Sequence, residues 1–234
     1  MQFKSRFSVI TTVLGISSSI LCSLGFESIA SAANLIVNGS FEEGDFKSNI
    51  VGLNFARLNP GSSALTGWTI DGAGIDWHNS NEMKFPNDGN YLADLNIDGI
   101  SSGSLSQTFS TTPGQFYNLS FYLAGPEIPN NSAFPNPRQV RVEVGGVNQI
   151  FSTPSSNHLA LKWQLQQLNF QATVNQTTLR FSSLNNSGFW GPALDNISVV
   201  SSSQSIPESS SHLSILLFGS FGIASVLKGK LSYK

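Results

Sequence analysis

Apolar and polar residues alternate with a period of two in run after run between Asn34 and Val200. Such alternation puts successive side chains on opposite faces of a half-buried β-strand. The clearest run is Phe116–Ala124, where Tyr117, Leu119, Phe121 and Leu123 share one face and Asn118, Ser120 and Tyr122 the other. Val140, Val142 and Val144 repeat the pattern against Arg141 and Glu143. Further strands are expected at Leu35–Asn38, Trp68–Ile70, Gly74–His78, Tyr91–Asn96, Leu105–Ser110, Gln149–Thr153, Leu165–Ala172, Thr178–Ser183 and Leu194–Val200. Helix-period segments are missing from this body. About ten strands without helices predict an all-β fold of two packed antiparallel sheets. Pro113-Gly114 and Gly145-Gly146 read as turns that close hairpins. Glu42–Thr66 and Pro126–Pro137 read as irregular loops, and long loops on a rigid sandwich are where binding usually resides.

The pattern changes at both ends. Lys4 and Arg6 precede a mostly apolar run from Phe7 to Gly25, and Ala30-Ser31-Ala32 supplies small residues for a signal peptidase, so 1–32 reads as a secretory signal peptide. Residues 33–200 then form the folded domain, 201–212 a Ser-rich stalk carrying Pro207-Glu208, and 213–234 a hydrophobic helix with a basic tail. The uncharged stretch Leu213–Leu227 would reach roughly 22 Å as a helix, short of the ~30 Å hydrocarbon core. Pro207-Glu208, the short apolar helix and the lysines after it resemble the PEP-CTERM sorting signal of bacteria. That resemblance implies an exosortase-type processing enzyme as partner and transient membrane anchoring through the terminal segments only. Ser209 stands where the usual motif has a second proline. A plain C-terminal anchor is the other reading.

Charge and cysteine narrow the chemistry. Of 12 Lys and Arg and 14 Asp and Glu, five and two fall in the end segments, which leaves seven against twelve in the body. Nucleic-acid binding draws its affinity from clustered Lys and Arg, so a phosphate backbone is an unsuitable partner. The one cysteine, Cys22, lies in the signal segment, so the exported body carries no disulfide and no thiolate metal site.

The body opens Asn34-Leu-Ile-Val-Asn-Gly-Ser-Phe-Glu42, continues through Gly67-Trp68, Asp88-Gly89, Leu95-Asn96, Gly103–Phe109, Pro113-Gly114 and Phe121–Gly125, and closes Gly191-Pro-Ala-Leu-Asp195-Asn-Ile-Ser-Val199. This set resembles the galactose-binding-like jelly rolls, and most of all the bacterial choice-of-anchor C family, related to the plant cell-wall domains of unknown function 642. The resemblance implies an antiparallel two-sheet jelly roll, association with carbohydrate or cell wall at the cell envelope or extracellular matrix, and no established catalytic activity. In related carbohydrate-binding jelly rolls a structural calcium pins the first strand to the last, and Glu42 and Asp195 match its two carboxylate positions. Asp88 and Asp94 are added as candidate ligands, since calcium takes six to eight oxygens. The alternative is that Glu42 and Asp195 cap turns or pair with Lys or Arg.

Indole faces stack on sugar rings while amides bind hydroxyls. Trp77 with the nearby Asn79, and Trp190 between Gly188 and Gly191, stand closest to expected loops and are the ligand-binding candidates; Trp68 and Trp163 read as packing. His78 and His158 lack a nucleophile motif and read as solvated or hydrogen-bonded. Asp71, Asp76, Glu82 and Asp94 include no pair whose separation the sequence defines. The expected function is therefore an exported, noncatalytic protein that binds polysaccharide. The alternatives are a structural matrix protein that binds other proteins and a secreted glycan hydrolase.

Overall fold

The computed structural model describes residues 32–51, 54–80, 87–97, 101–127, 137–154, 156–157, 161–185 and 190–202. The signal segment before residue 32, Pro207, Glu208, the 213–234 segment, His158 and Glu82 lie outside them. The strands are β1 (Phe55–Leu58), β2 (Thr69–Gly72), β3 (Ile75–Asn79), β4 (Tyr91–Asp94), β5 (Asn96–Ile97), β6 (Ser101–Ser110), β7 (Phe116–Ala124), β8 (Pro126–Glu127), β9 (Gln139–Val144), β10 (Val147–Ser152), β11 (Ser156–Asn157), β12 (Gln164–Gln171), β13 (Gln176–Ser183) and β14 (Ala193–Ser201). One antiparallel sheet runs β1-β3-β4-β14-β7-β12, and the facing one runs β10-β9-β13-β6-β2 with β5 beside β6. Among the described residues the only helix is the three-residue 3-10 turn Lys47–Asn49, and none is long and apolar enough to cross a membrane. The protein is a two-sheet jelly roll, as the alternation predicts.

Alternation selects the core. Leu119, Phe121 and Leu123 of β7 point inward and are fully buried. Phe121 meets Phe181 of β13 edge-on at 5.0 Å and Phe151 of β10 at 5.3 Å, which ties the two sheets together. Each such side chain stabilises the fold by roughly 1.5–3 kcal/mol through removal from water. The other edge of the core is held by Trp77, whose ring lies against Phe46 at 5.1 Å and Tyr91 at 5.3 Å.

Three local expectations are corrected. Phe55–Leu58, inside the expected Glu42–Thr66 loop, is strand β1, with four residues too few to show a period. Leu35–Asn38 is not a strand, because Asn38 and Phe41 adopt positive φ of 53° and 60° and turn the chain back. Pro113-Gly114 closes no hairpin: β6 and β7 belong to different sheets, so this turn carries the chain across the sandwich. Its geometry is fixed by Thr112 N–H donating to the Tyr117 hydroxyl and Gly114 N–H to Ala172 O. Gly145-Gly146 does close the β9–β10 hairpin.

The matching end motifs have a physical cause. Asn34 Oδ1 accepts from Val199 N at 2.9 Å, Leu35 N donates to Val199 O at 2.8 Å and Ile197 N to Gly39 O at 2.9 Å. The opening segment is thus bound to the irregular stretch of β14 between Asp195 and Ser198. A side chain at Gly39 would place Cβ 2.0 Å from Ile197 O, so only glycine permits this contact.

Candidate functional site

The outward face of the six-stranded sheet divides into two halves of different chemistry. On β1, β3 and β4 it carries Phe55, Arg57, Asp76, His78, Leu92 and Asp94, with Phe55 opposite His78, Arg57 opposite Asp76 and Asp76 opposite Asp94. On β14, β7 and β12 it carries three cross-strand rows: Asp195–Tyr122–Leu165, Ser198–Ser120–Gln167 and Val200–Asn118–Asn169. Apart from Asp195, that second half is uncharged.

The first half is buried and charged. Arg57 grips Asp76 with two hydrogen bonds, Nε to Oδ1 at 2.9 Å and Nη2 to Oδ2 at 3.1 Å. Such forked pairing is the strong form of an ion pair. Asp94 is fully buried; its Oδ1 accepts from Asn96 N at 2.9 Å and Gly191 N at 2.8 Å, while Oδ2 has no hydrogen-bond partner among the described residues. Burial, helped by the charge of Asp76, pushes the Asp94 carboxyl well above the usual range, against the pull of those two N–H groups and of Arg138. Burial next to Arg57 brings His78 down to about 3, so its imidazole is neutral at physiological pH. That ring stacks on Phe55 at 5.4 Å, and neither nitrogen finds a partner among the described residues, which corrects the expectation of a solvated or hydrogen-bonded histidine. Asp76 and Asp94 are adjacent carboxylates, but one is held by Arg57 and both are shut away from water.

Behind Asp94 a polar chain crosses between the sheets. Ser183 Oγ donates to Asn96 Oδ1, Asn96 Nδ2 to Asn185 O, and Gln139 N to Asn185 Oδ1. Gly191 is needed there, because a Cβ would lie 2.6 Å from Asn96 Oδ1. This network fixes the root from which the chain returns through Trp190 into β14.

The second half is open. Asn118, Ser120, Tyr122 and Ser198 are half-buried, and Gln167 and Asn169 are exposed. Asn118 Nδ2 donates to Asn169 Oδ1 at 2.9 Å across the β7–β12 pair. At one end of this platform the half-buried Trp163 and Trp190 pack on Leu92, Ala124, Ala193 and Leu161. Amide and hydroxyl groups on a flat, neutral surface next to two indoles can hydrogen-bond and stack on an uncharged sugar chain.

The sequence candidates separate in space. Trp77 is only 1% exposed, on the inner face of β3, and its Nε1 donates to Phe41 O. This corrects its reading as a loop-side indole: β3 extends through Asn79, so Trp77 falls on a core position of the strand. Asn79 ends β3 opposite Tyr91, and Trp190 lies on the outward face. The three therefore do not form one site. Trp68 is core, as expected, with Nε1 bonded to Asn38 O. Trp163 packs as expected, on the same cluster as Trp190, and is half-buried there; its position one residue before β12 and just after a loop is the sequence signal for that partial exposure.

Glu42, Asp88 and Asp195 converge on the segment leading into β4. Glu42 Oε1 accepts from Asn90 N at 2.7 Å and Tyr91 N at 2.8 Å; Asp195 Oδ2 accepts from Asp88 N at 2.9 Å. Burial pushes the Asp195 carboxyl up to about 7, against the pull of the N–H groups of Asp88, Asn196 and Asn87. Both side chains thus act as turn acceptors. Asp94 is engaged elsewhere, and among the described residues no three His, Cys, Asp or Glu side chains are grouped to hold a metal ion.

With this geometry in view, a family model described as "Protein of unknown function (DUF642)" matches residues 34–200. The chain belongs to the DUF642 family. Halomucin of Haloquadratum walsbyi is 30% identical over 216 residues, covering 91% of this chain but 2% of that protein. Among solved structures, TmCBM61 in complex with β-1,4-galactotriose superposes with a TM-score of 0.51 at 16% identity, covering 73% of this chain and 100% of that one. A sugar-binding protein so described from Bacteroides thetaiotaomicron gives a TM-score of 0.43 at 13% identity, covering 73% and 100%. The likeness to TmCBM61 is one of fold: both chains are jelly rolls.

Proposed function

We propose that this DUF642 protein is an exported, noncatalytic envelope or matrix module that binds a neutral polysaccharide along the open half of its outward sheet face. The observation that carries this reading is the uncharged platform of Tyr122, Ser120, Asn118, Gln167 and Asn169 beside Trp163 and Trp190. Desolvating neutral amides and hydroxyls costs far less than desolvating ions, so such a surface suits sugar hydroxyls. The jelly-roll likeness to a galactotriose-bound module supports a galactan-type ligand as the first probe. The charged half supports a structural role, because its carboxylates are buried and Asp76 is already paired. Export through 1–32 and exosortase processing at Pro207-Glu208 rest on the sequence patterns of the ends. Structural calcium at Glu42 and Asp195 rests on the resemblance, with Asp88 and Asp94 added only to fill the oxygen shell, and a melting curve with and without chelator tests it.

Affinity electrophoresis of the protein through immobilised β-1,4-galactan tests the binding claim. Trp163→Ala and Trp190→Ala are each expected to weaken retention on the order of tenfold, equivalent to about 1.4 kcal/mol. Retention unchanged in both variants, or release of reducing sugar in proportion to protein, would overturn the reading.

A further inference from the structure

The two flanks of the sandwich are built differently. On one flank the edge strands β1 and β2 are four residues each and carry Arg57 and Asp71-Gly72. Short length and charge are the usual means by which proteins blunt a sheet edge. On the other flank the edges are β12, Gln-Leu-Gln-Gln-Leu-Asn-Phe-Gln over Gln164–Gln171, and β10, Val-Asn-Gln-Ile-Phe-Ser over Val147–Ser152. Neither contains a charged residue, a proline or a glycine. Each exposes a large apolar side chain, Leu165 at 48% and Ile150 at 49%. Among the described residues β12 pairs with β7 alone, in unbroken register over all eight residues. Among the described residues, about 27 Å of strand therefore presents a row of backbone donors and acceptors with no second strand beside it.

We propose that β12 is a self-association edge: two copies of this chain pair antiparallel through it, extending the six-stranded sheet into a continuous twelve-stranded one. The chemistry of the strand selects a second copy as occupant. In a two-fold pair each outward residue must meet an outward residue, because opposed side chains in an antiparallel ladder point to the same face. An axis at Gln167 sets Gln167 against its own counterpart and Leu165 against Asn169 of the second copy. A glutamine amide is both donor and acceptor, so it is self-complementary, whereas an acid or a lysine in its place would face a like charge. The exposed residues of β12 are all uncharged, so no alignment near this axis sets like charges together. Pairing this way also brings the open amide platforms of the two copies edge to edge on one face. The pairing itself does not depend on what those platforms bind.

Sedimentation equilibrium on the full-length chain is the test. The wild type is expected at the mass of two copies. Gln167→Lys and Gln167→Glu, each placing like charges across the axis, are expected at the mass of one copy with a cooperative melt retained and lowered only by the loss of the partner, since Gln167 is exposed in a single copy. An equal mixture of the two variants is expected to return to the mass of two. A wild type that stays at one copy at every concentration would overturn the proposal. A two-copy mass that persists in both variants would do the same and point to the terminal segments. A different protein captured on β12 at one-to-one stoichiometry would replace the second copy as occupant. Should the Lys variant melt early, the mixing experiment still decides, because only direct apposition at position 167 lets Glu rescue Lys.

Discussion

One sheet face carries two solutions to the same problem of placing polar groups on a β-surface. On β1, β3 and β4 the groups are ionisable and buried: Arg57 closes on Asp76, Asp94 takes two backbone N–H groups, and His78 is kept neutral against Phe55. On β14, β7 and β12, apart from the buried Asp195 at the border with β4, they are amides and hydroxyls in contact with water. Burial makes the first half a source of pH dependence and structural constraint, with Asp76 already paired to Arg57 and Asp94 and His78 buried. Neutrality leaves the second half cheap to desolvate and free to exchange water for a sugar hydroxyl.

The largest contrast is expected under acid. His78 is depressed to about 3 in the folded chain from an ordinary 6.5, so below 6.5 the unfolded chain takes up a proton that the folded one refuses. Stability from this residue is complete above pH 6.5 and is lost as pH falls towards 3, by about 5 kcal/mol. Denaturant melts of wild type and His78→Gln should differ by that changing amount between pH 7 and pH 3; a constant difference would show that the imidazole is not buried neutral. Asp195 has the opposite sign. Its folded value of about 7 exceeds the ordinary 3.8, so the folded state holds the extra proton and stability falls as pH rises from about 4 to about 7. In chelator, where no calcium competes for the carboxyl, Asp195→Asn should remove a dependence of about 4 kcal/mol across that window. If the melts of wild type and variant run parallel with pH, the carboxyl is solvated.

A single cut in the charged half follows in size. Asp76→Ala leaves the Arg57 guanidinium without its forked acceptor in a partly buried place and should cost about 3 kcal/mol. Asp76→Ala paired with Arg57→Ala should recover much of that loss, which a double-mutant cycle in urea measures. In the open half the effect moves from stability to binding. Gln167→Ala and Ser120→Ala should leave the melt within about 0.5 kcal/mol and weaken galactan retention a few-fold; a stability loss resembling that of Asp76→Ala would erase the distinction between the halves.

Much of the fold is legible in the period of two. The run from Tyr117 to Leu123 identifies a central strand and its inward face correctly, because a strand covered on one side must alternate. Where this fails, the cause is local. Phe55–Leu58 is too short to show a period, and Pro113-Gly114 has the same residues whether it closes a hairpin or crosses the sandwich. The site is less legible. Trp77 and Trp190 both read as loop-side in the sequence, yet strand β3 continues two residues past Trp77 and turns its ring inward, while Trp190 precedes β14 and packs on the outward face. Which face an indole takes depends on where a strand stops, and that is set by partners distant in sequence. The open platform escapes a linear reading for the same reason: Asn118, Gln167 and Ser198 become neighbours only through the β14–β7–β12 register.

Side-chain amide NMR resonances report on both halves at once. On adding β-1,4-galactan oligosaccharide, shifts are expected for the amide groups of Asn118, Gln167 and Asn169 and for the indole N–H of Trp163 and Trp190, while those of Asn96 and Asn185 in the buried network stay in place. Shifts confined to Asn96, Asn185 and the surroundings of His78, or found only on the opposite sheet at Asn148 and Gln149, would contradict the assignment of the open half as the glycan-binding surface.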